Sequence, residues 1–299
     1  MTLTALMVAL ALGQTSSAPY VRSRVEAGDP TTQCLYWTVP KITWYQSSVG
    51  NPQTRPAGSE FTAVRRSFQS WQTVFTGCGN LSFEDGDKVD DRKVGYVVGG
   101  ENRNLVLFRL RRCADVAPAN DACWGDDTCG NKYDCWSNDG QTIAVTLTTY
   151  DEKSGIIYDS DIELNSPTFF FTTSDGGLCN PPLVTTNCVS TDVENTMTHE
   201  IGHFIGLDHT NFTGSTMNPR AQPGEISKRT IDTGSKDFVC KAYPQRQASQ
   251  ACVHPSTDSN LGRKAALAGC ASAGAEAWLP ALAGWALLLA ARRRRGARG

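Results

Sequence analysis

The sequence predicts one disulfide-stapled α+β domain in the body of the chain. Three observations carry this expectation. Apolar residues at helical spacing alternate with short strand-like runs, ten of the eleven cysteines precede the C-terminal segment that starts at Cys270, and three of the four histidines crowd into eleven consecutive residues. At 299 residues the chain is long enough for a sizeable core. An even set of cysteines (Cys34, Cys78, Cys113, Cys123, Cys129, Cys135, Cys179, Cys188, Cys240 and Cys252) reads as a framework of up to five bridges in an exported chain. Their connectivity does not follow from spacing.

The elements follow in order. Leu3 to Leu12 is a short apolar run followed by small and polar residues to Ala18, so 1–18 reads as a secretory signal peptide lacking a basic start. A first strand is expected through Cys34 to Val39, continued by Ile42 to Tyr45 beyond Pro40. Phe61, Val64, Phe68, Trp71 and Phe75 recur at helical spacing and predict an amphipathic helix over about 59–75. Leu81 to Phe83 and Leu105 to Phe108 read as strands. Between them, Glu84 to Arg92 is a solvated acidic loop, with calcium binding through Asp85, Asp87, Asp90 and Asp91 as its second reading. Residues 113–140 form a cysteine-, Gly- and Asp-rich loop; without a nearby histidine or C-x2-C spacing, disulfides are expected there rather than a second zinc site. Thr142 to Tyr150 and Ile156 to Leu164 are expected strands joined by a turn, and a second cysteine-bearing loop covers 166–190.

The ends read differently. Residues 251–269 are a polar, small-residue linker after a body of 19–250. From Cys270 the chain has a small-residue spacer, an apolar stretch from Ala277 to Ala291 and the basic cluster Arg292 to Arg295. The stretch is shorter than the roughly 20 residues of a perpendicular membrane span. Residues 270–299 resemble the C-terminal sorting tags of myxobacterial surface proteins, which implies an envelope address. Removing their five Arg and one Glu takes the net charge from −2 to −6. A mildly acidic body argues against nucleic acid as a partner.

Residues 196–210 carry the chemistry. A capping box, Thr191 with Glu194, is expected to start a helix. His199 and His203, four apart, then project from one face and can share a metal, with Glu200 beside them. Gly206 ends the helix, because a residue without Cβ takes the left-handed conformation that turns the chain back and brings His209 to the same metal. Three neutral nitrogens leave a fourth position open, as in catalytic zinc sites. The full H-E-x-x-H-x-x-G-x-x-H pattern has a chance expectation on the order of a few per million in a chain of this composition.

This pattern resembles the zinc motif of the metzincin metallopeptidases. Ser215-Thr216-Met217-Asn218-Pro219, eight residues on from the third histidine, looks like their Met-turn, and Gly206 to Thr210 most resembles the matrixins. No tyrosine follows two residues after Met217, unlike astacins and serralysins. The resemblance implies a twisted, mostly parallel sheet with long helices and a Met-turn C-terminal subdomain. It spans about 34–244, ends on a helix near 227–243, and is tight only over 196–219. It further implies a zinc endopeptidase with His199, His203 and His209 as ligands, Glu200 as general base, and a protein or peptide as substrate. Thr142 to Tyr150 is expected to be the edge strand that aligns the substrate, and residues 218–226 the wall of its principal pocket. The loops 113–140 and 166–190 depart from matrixins, and no propeptide switch is visible; Cys34 is a weaker candidate for a switch than for a disulfide. The alternative function is a catalytically silent surface adhesin or binding module on the same fold.

Overall fold

The computed structural model describes residues 19–180 and 187–253, and the backbone of 263–272. The expected signal peptide (1–18) and the tag beyond 272 lie outside the described residues. No helix among the described residues is long and apolar enough to cross a membrane.

A seven-stranded sheet organises the molecule. Its strands are β1 (Lys41–Gln46), β2 (Ser82–Asp85), β3 (Asn104–Arg109), β4 (Thr142–Asp151), β5 (Ile157–Asn165), β6 (Arg220–Ala221) and β7 (Arg263–Ser272), in the spatial order β6-β7-β4-β5-β3-β1-β2. Strands β2, β1, β3 and β5 run parallel, whereas β4 is antiparallel to β5 and to β7. The sheet is thus mixed and mostly parallel, as expected. The parallel strand β3 is buried along nearly its whole length, so its apolar run is continuous rather than alternating.

Helix α1 (Ser59–Cys78) carries the anticipated aromatic stripe and runs one turn longer than periodicity indicated. Phe68 stacks on Trp44 of β1 at 4.0 Å between ring centroids and meets Phe204 edge-on. Its other partner is α2 (Val193–Phe204), the motif helix. The indole of Trp71 donates to Thr198 O at 2.9 Å, fixing one helix against the other. Helix α3 (Thr233–Ala242) is joined to the end of α1 by the bridge Cys78–Cys240.

The ten cysteines before Cys270 all pair: Cys34–Cys252, Cys78–Cys240, Cys113–Cys135, Cys123–Cys129 and Cys179–Cys188. Cys34 is therefore engaged at the far end of the body, and the 113–140 cysteines are spent on disulfides. That loop also folds two short helices, Cys113–Val116 and Cys129–Tyr133. It is anchored to the sheet by a buried guanidinium. Arg109 on β3 grips Glu163 on β5 through two hydrogen bonds of 3.1 and 3.0 Å and reaches Asp134 at 3.0 Å.

Several expectations are corrected. Cys34 to Val39 is not a continuous strand. It makes isolated bridges through Cys34 and Tyr36, and β1 begins only after Pro40, which has no N–H to offer a ladder. Helix α2 is capped by Asp192, whose carboxylate accepts from Asn195 N at 2.7 Å, while Glu194 instead pairs with Arg66. The final helix is interrupted: a 3-10 turn at Ser227–Arg229 precedes α3, which Asp232 caps. The acidic loop does not gather its carboxylates. Asp85 pairs with Arg65, Asp90 accepts from Ser48 and Asp91 pairs with Arg103, so the calcium reading finds no support.

The largest correction concerns the expected linker of 251–269 and the start of the tag. Cys252 is bonded to the body, and residues 263–272 form β7, paired along β4. Strand β4 is consequently not an edge. The segment is small-residue chain without proline, which lets its backbone extend against any strand that offers free N–H and C=O groups.

Candidate metal centre

The centre is built on the last two turns of α2 and the chain just beyond. The i, i+4 spacing brings the rings of His199 and His203 together, with Nε2 atoms 3.1 Å apart. The helix ends at Phe204, and Gly206 follows at φ +94°. A Cβ at Gly206 would collide with the carbonyl oxygen of Leu35, so both conformation and space demand glycine. The reversal returns His209, whose Nε2 lies 3.2 Å from that of His199 and 3.1 Å from that of His203. Among the described residues this is the only group of three or more His, Cys, Asp or Glu placed to hold one metal ion.

Hydrogen bonds fix the ring tautomers. His199 Nδ1 donates to Thr216 O at 2.7 Å, and His203 Nδ1 donates to Leu207 O at 2.8 Å. Both Nε2 atoms therefore carry lone pairs into the shared space. Burial pushes the His199 pKa well below its ordinary value, and the neighbouring His203 and His209 lower it further. Burial, then His209, takes His203 down to about 3. Lone pairs this close repel one another unless a cation lies between them. Nitrogens about 3.1 Å apart suit Zn–N bonds of about 2.0–2.1 Å, and the carbonyl-anchored Nδ1 atoms supply the orienting hydrogen bonds that metal-bound histidines need. The donor set fits zinc.

Glu200 follows His199 on the helix and is fully buried. Thr146, on β4, donates its hydroxyl to Glu200 Oε2 at 2.7 Å. Met217 is 1% exposed and packs on Gly202, where a Cβ would run into its sulfur. The loop 210–217 is held by Thr210 N bonding Met217 O at 3.0 Å, and by Asp232, whose carboxylate accepts from Thr216 N at 2.8 Å. Trp37 and Tyr243 close the helix end, donating to Phe204 O and Ile205 O at 2.8 and 2.7 Å.

Sequence reasoning placed the three histidines, Glu200, Gly206 and Met217 at one locus, and they meet there. It missed Thr146, Asp232, Trp37 and Tyr243. No local pattern marks these, since each acts across a separation of at least 16 residues.

The chain was compared with known proteins. Residues 124–243 match the matrixin family model. That span begins in the cysteine-rich loop and includes β4, β5, the whole of α2, the three histidines, Met217 and α3. It supports a matrixin-like metallopeptidase, with zinc as the metal that family implies. No curated protein matches the chain.

A cavity of about 360 Å3 opens beside α2. Ile143, Phe169, Phe170, Asn195, Ala221 and Pro223 contribute to its lining, so one wall comes from the segment just after Met217.

Proposed function

We propose that the chain is an exported zinc-dependent endopeptidase in which His199, His203 and His209 hold the metal and Glu200 is the general base. The observation that carries this reading is the convergence of three Nε2 atoms on one point, with a carboxylate that is not among them on the next residue of the helix. A purely structural site needs no such carboxylate next to an open metal position.

Zinc held here would lower the pKa of a water towards about 7 and polarise a substrate carbonyl. Glu200 accepts the water's proton as it attacks and passes it to the leaving amine. Thr146 holds one carboxylate oxygen and so orients the base. The Met-turn reading gives Met217 the task of supporting the rings, and the tie from Asp232 to Thr216 keeps the carbonyl that orients His199 in place. Ile143, Phe169, Phe170 and Pro223 suit the cavity to a bulky apolar side chain of the substrate.

The test is cleavage of a quenched peptide library by the zinc-loaded chain and by Glu200→Ala. The variant is expected to keep its zinc and lose at least about a thousandfold in kcat/KM. Zinc retention with no cleavage by either protein would favour the silent binding module instead.

A further inference from the structure

Strand β7 lies where a peptide substrate would have to lie. It runs antiparallel to β4 from Arg263, opposite Asp151, to Ala271, opposite Thr142. At its end it also pairs in parallel with β6, Arg220 with Ala271 and Ala221 with Ser272. It therefore bridges the strand that carries Thr146 and the segment that follows Met217. Ala268 pairs with Thr146, the residue bonded to Glu200, and the backbone of β7 comes within 8 Å (Cα to Cα) of α2. Near its end, between Cys270 and Ala271, the register shifts beside Ile143, which lines the apolar cavity. Glu200 has no exposed surface, although a general base must meet water.

We propose that residues 263–272 are an occupant, in cis, of the peptide-binding cleft and hold the full chain latent. The inference rests on the endopeptidase reading above. Strand addition explains why the occupant binds: backbone N–H and C=O groups on the outer side of β4 are paired by any extended chain of suitable direction. Its sequence, Arg-Lys-Ala-Ala-Leu-Ala-Gly-Cys-Ala-Ser, has no proline and no side chain larger than leucine beyond its first two residues. Such a segment extends readily along a strand. The two ladders also set the direction of a substrate, antiparallel to β4 and parallel to β6.

The experiment uses the full chain carrying Leu267→Pro with Ala268→Pro, which removes ladder donors of both parities. A second variant, with Ala265, Ala266 and Ala268 changed to Gly, weakens the strand without proline. Zinc content and thermal melting report that each folds. In a Glu200→Ala background, which prevents self-cleavage, a peptidyl hydroxamate is expected to bind each variant at least tenfold more tightly than the parent. Hydrogen exchange at the amides of Ile143 to Tyr150 is expected to quicken at least tenfold. With Glu200 restored, kcat/KM on a quenched peptide rises by a similar factor, and a synthetic 263–272 peptide inhibits competitively. Equal hydroxamate affinity and equal amide protection in parent and variants would overturn the proposal. The two readings separate: variants that bind the hydroxamate more tightly yet cleave nothing retain the occupying strand and refute the peptidase. A parent that cleaves as fast as its variants does the reverse.

Discussion

His199 and His203 lie on either side of Gly202, whose missing side chain is occupied by the sulfur of Met217. This inverts the usual expectation for a glycine inside a helix. Alanine at such a position normally stabilises by about 1 kcal/mol through propensity. Here the added Cβ must displace a buried methionine packed on the helix turn that carries His199 and His203. Gly202→Ala is therefore expected to destabilise the zinc-loaded protein by about 1–3 kcal/mol and to weaken zinc retention. Thermal melting with and without competing chelator measures both. A melting temperature equal to or above that of the parent would show that Met217 moves aside without cost.

At the scale of the elements, β5 carries a buried cost in Asp159 and Asp161. Asp161 accepts from Gly95 N and Leu105 N at 2.6 and 2.8 Å, tying β5 to β3 and to the loop before it. Burial, reinforced by the adjacent Asp159, raises the Asp161 pKa well above the usual carboxylate range. Burial likewise raises Asp159 to about 6, and its Oδ2 has no hydrogen-bond partner. Because both folded-state values lie above the unfolded ones, the folded protein binds more protons. Stability from this pair is fully present below about pH 4 and is lost as pH rises, through about 6 for Asp159 and through the raised pKa of Asp161. Asp159→Asn removes one of the two charges, so it is expected to flatten that decline and to stabilise at pH 7–8 by about 1–3 kcal/mol. Melting curves from pH 4 to 8 decide the matter; parallel curves for parent and variant would exclude the pair as the cause. The same strand shows the limit of a sequence reading. A strand was expected over Ile156 to Leu164, but nothing local announced that Asp161 and Glu163 are nearly as buried as its isoleucines; Gly95, in the loop before β3, and Arg109, tied to the cysteine-rich loop through Asp134, lie against these carboxylates.

At the scale of the whole molecule, a metal held by the three histidines would add a clamp between α2 and the chain beyond it, which hydrogen bonds already join. His209 and the Met217 loop lie beyond α2, and Asp232 connects them to α3. A ligand that binds the folded chain and not the unfolded one adds about 4 kcal/mol at a thousandfold excess over its Kd. Removing zinc with a chelator is thus expected to lower the melting temperature by several degrees, with recovery when zinc is restored. Indifference to the chelator would mean that the three histidines hold no metal. Disulfides set the background for that measurement, since Cys34–Cys252 and Cys78–Cys240 close loops spanning most of the body and remain whether or not metal is bound.

The sequence by itself brought His199, His203 and His209 to one place, and the reason is local geometry. Two histidines at i and i+4 must share a helix face, and a glycine that can turn left-handed returns the chain within one further turn, so the locus is encoded within His199 to His209. Aromatic spacing placed α1, and cysteine parity announced a disulfide framework without its connectivity, for the same reason that short-range patterns carry short-range information. Tertiary structure alone decided which cysteines pair, that Thr146 holds Glu200, that Asp232 steadies the loop orienting His199, and that Arg109 binds Glu163. Each of these depends on strands or loops distant in sequence becoming neighbours. It also decided the fate of residues 263–272. Their small side chains read as a linker because they supply no apolar stripe, yet the backbone of β4 needs none: unpaired N–H and C=O groups recruit any extended chain, and here they recruit the protein's own.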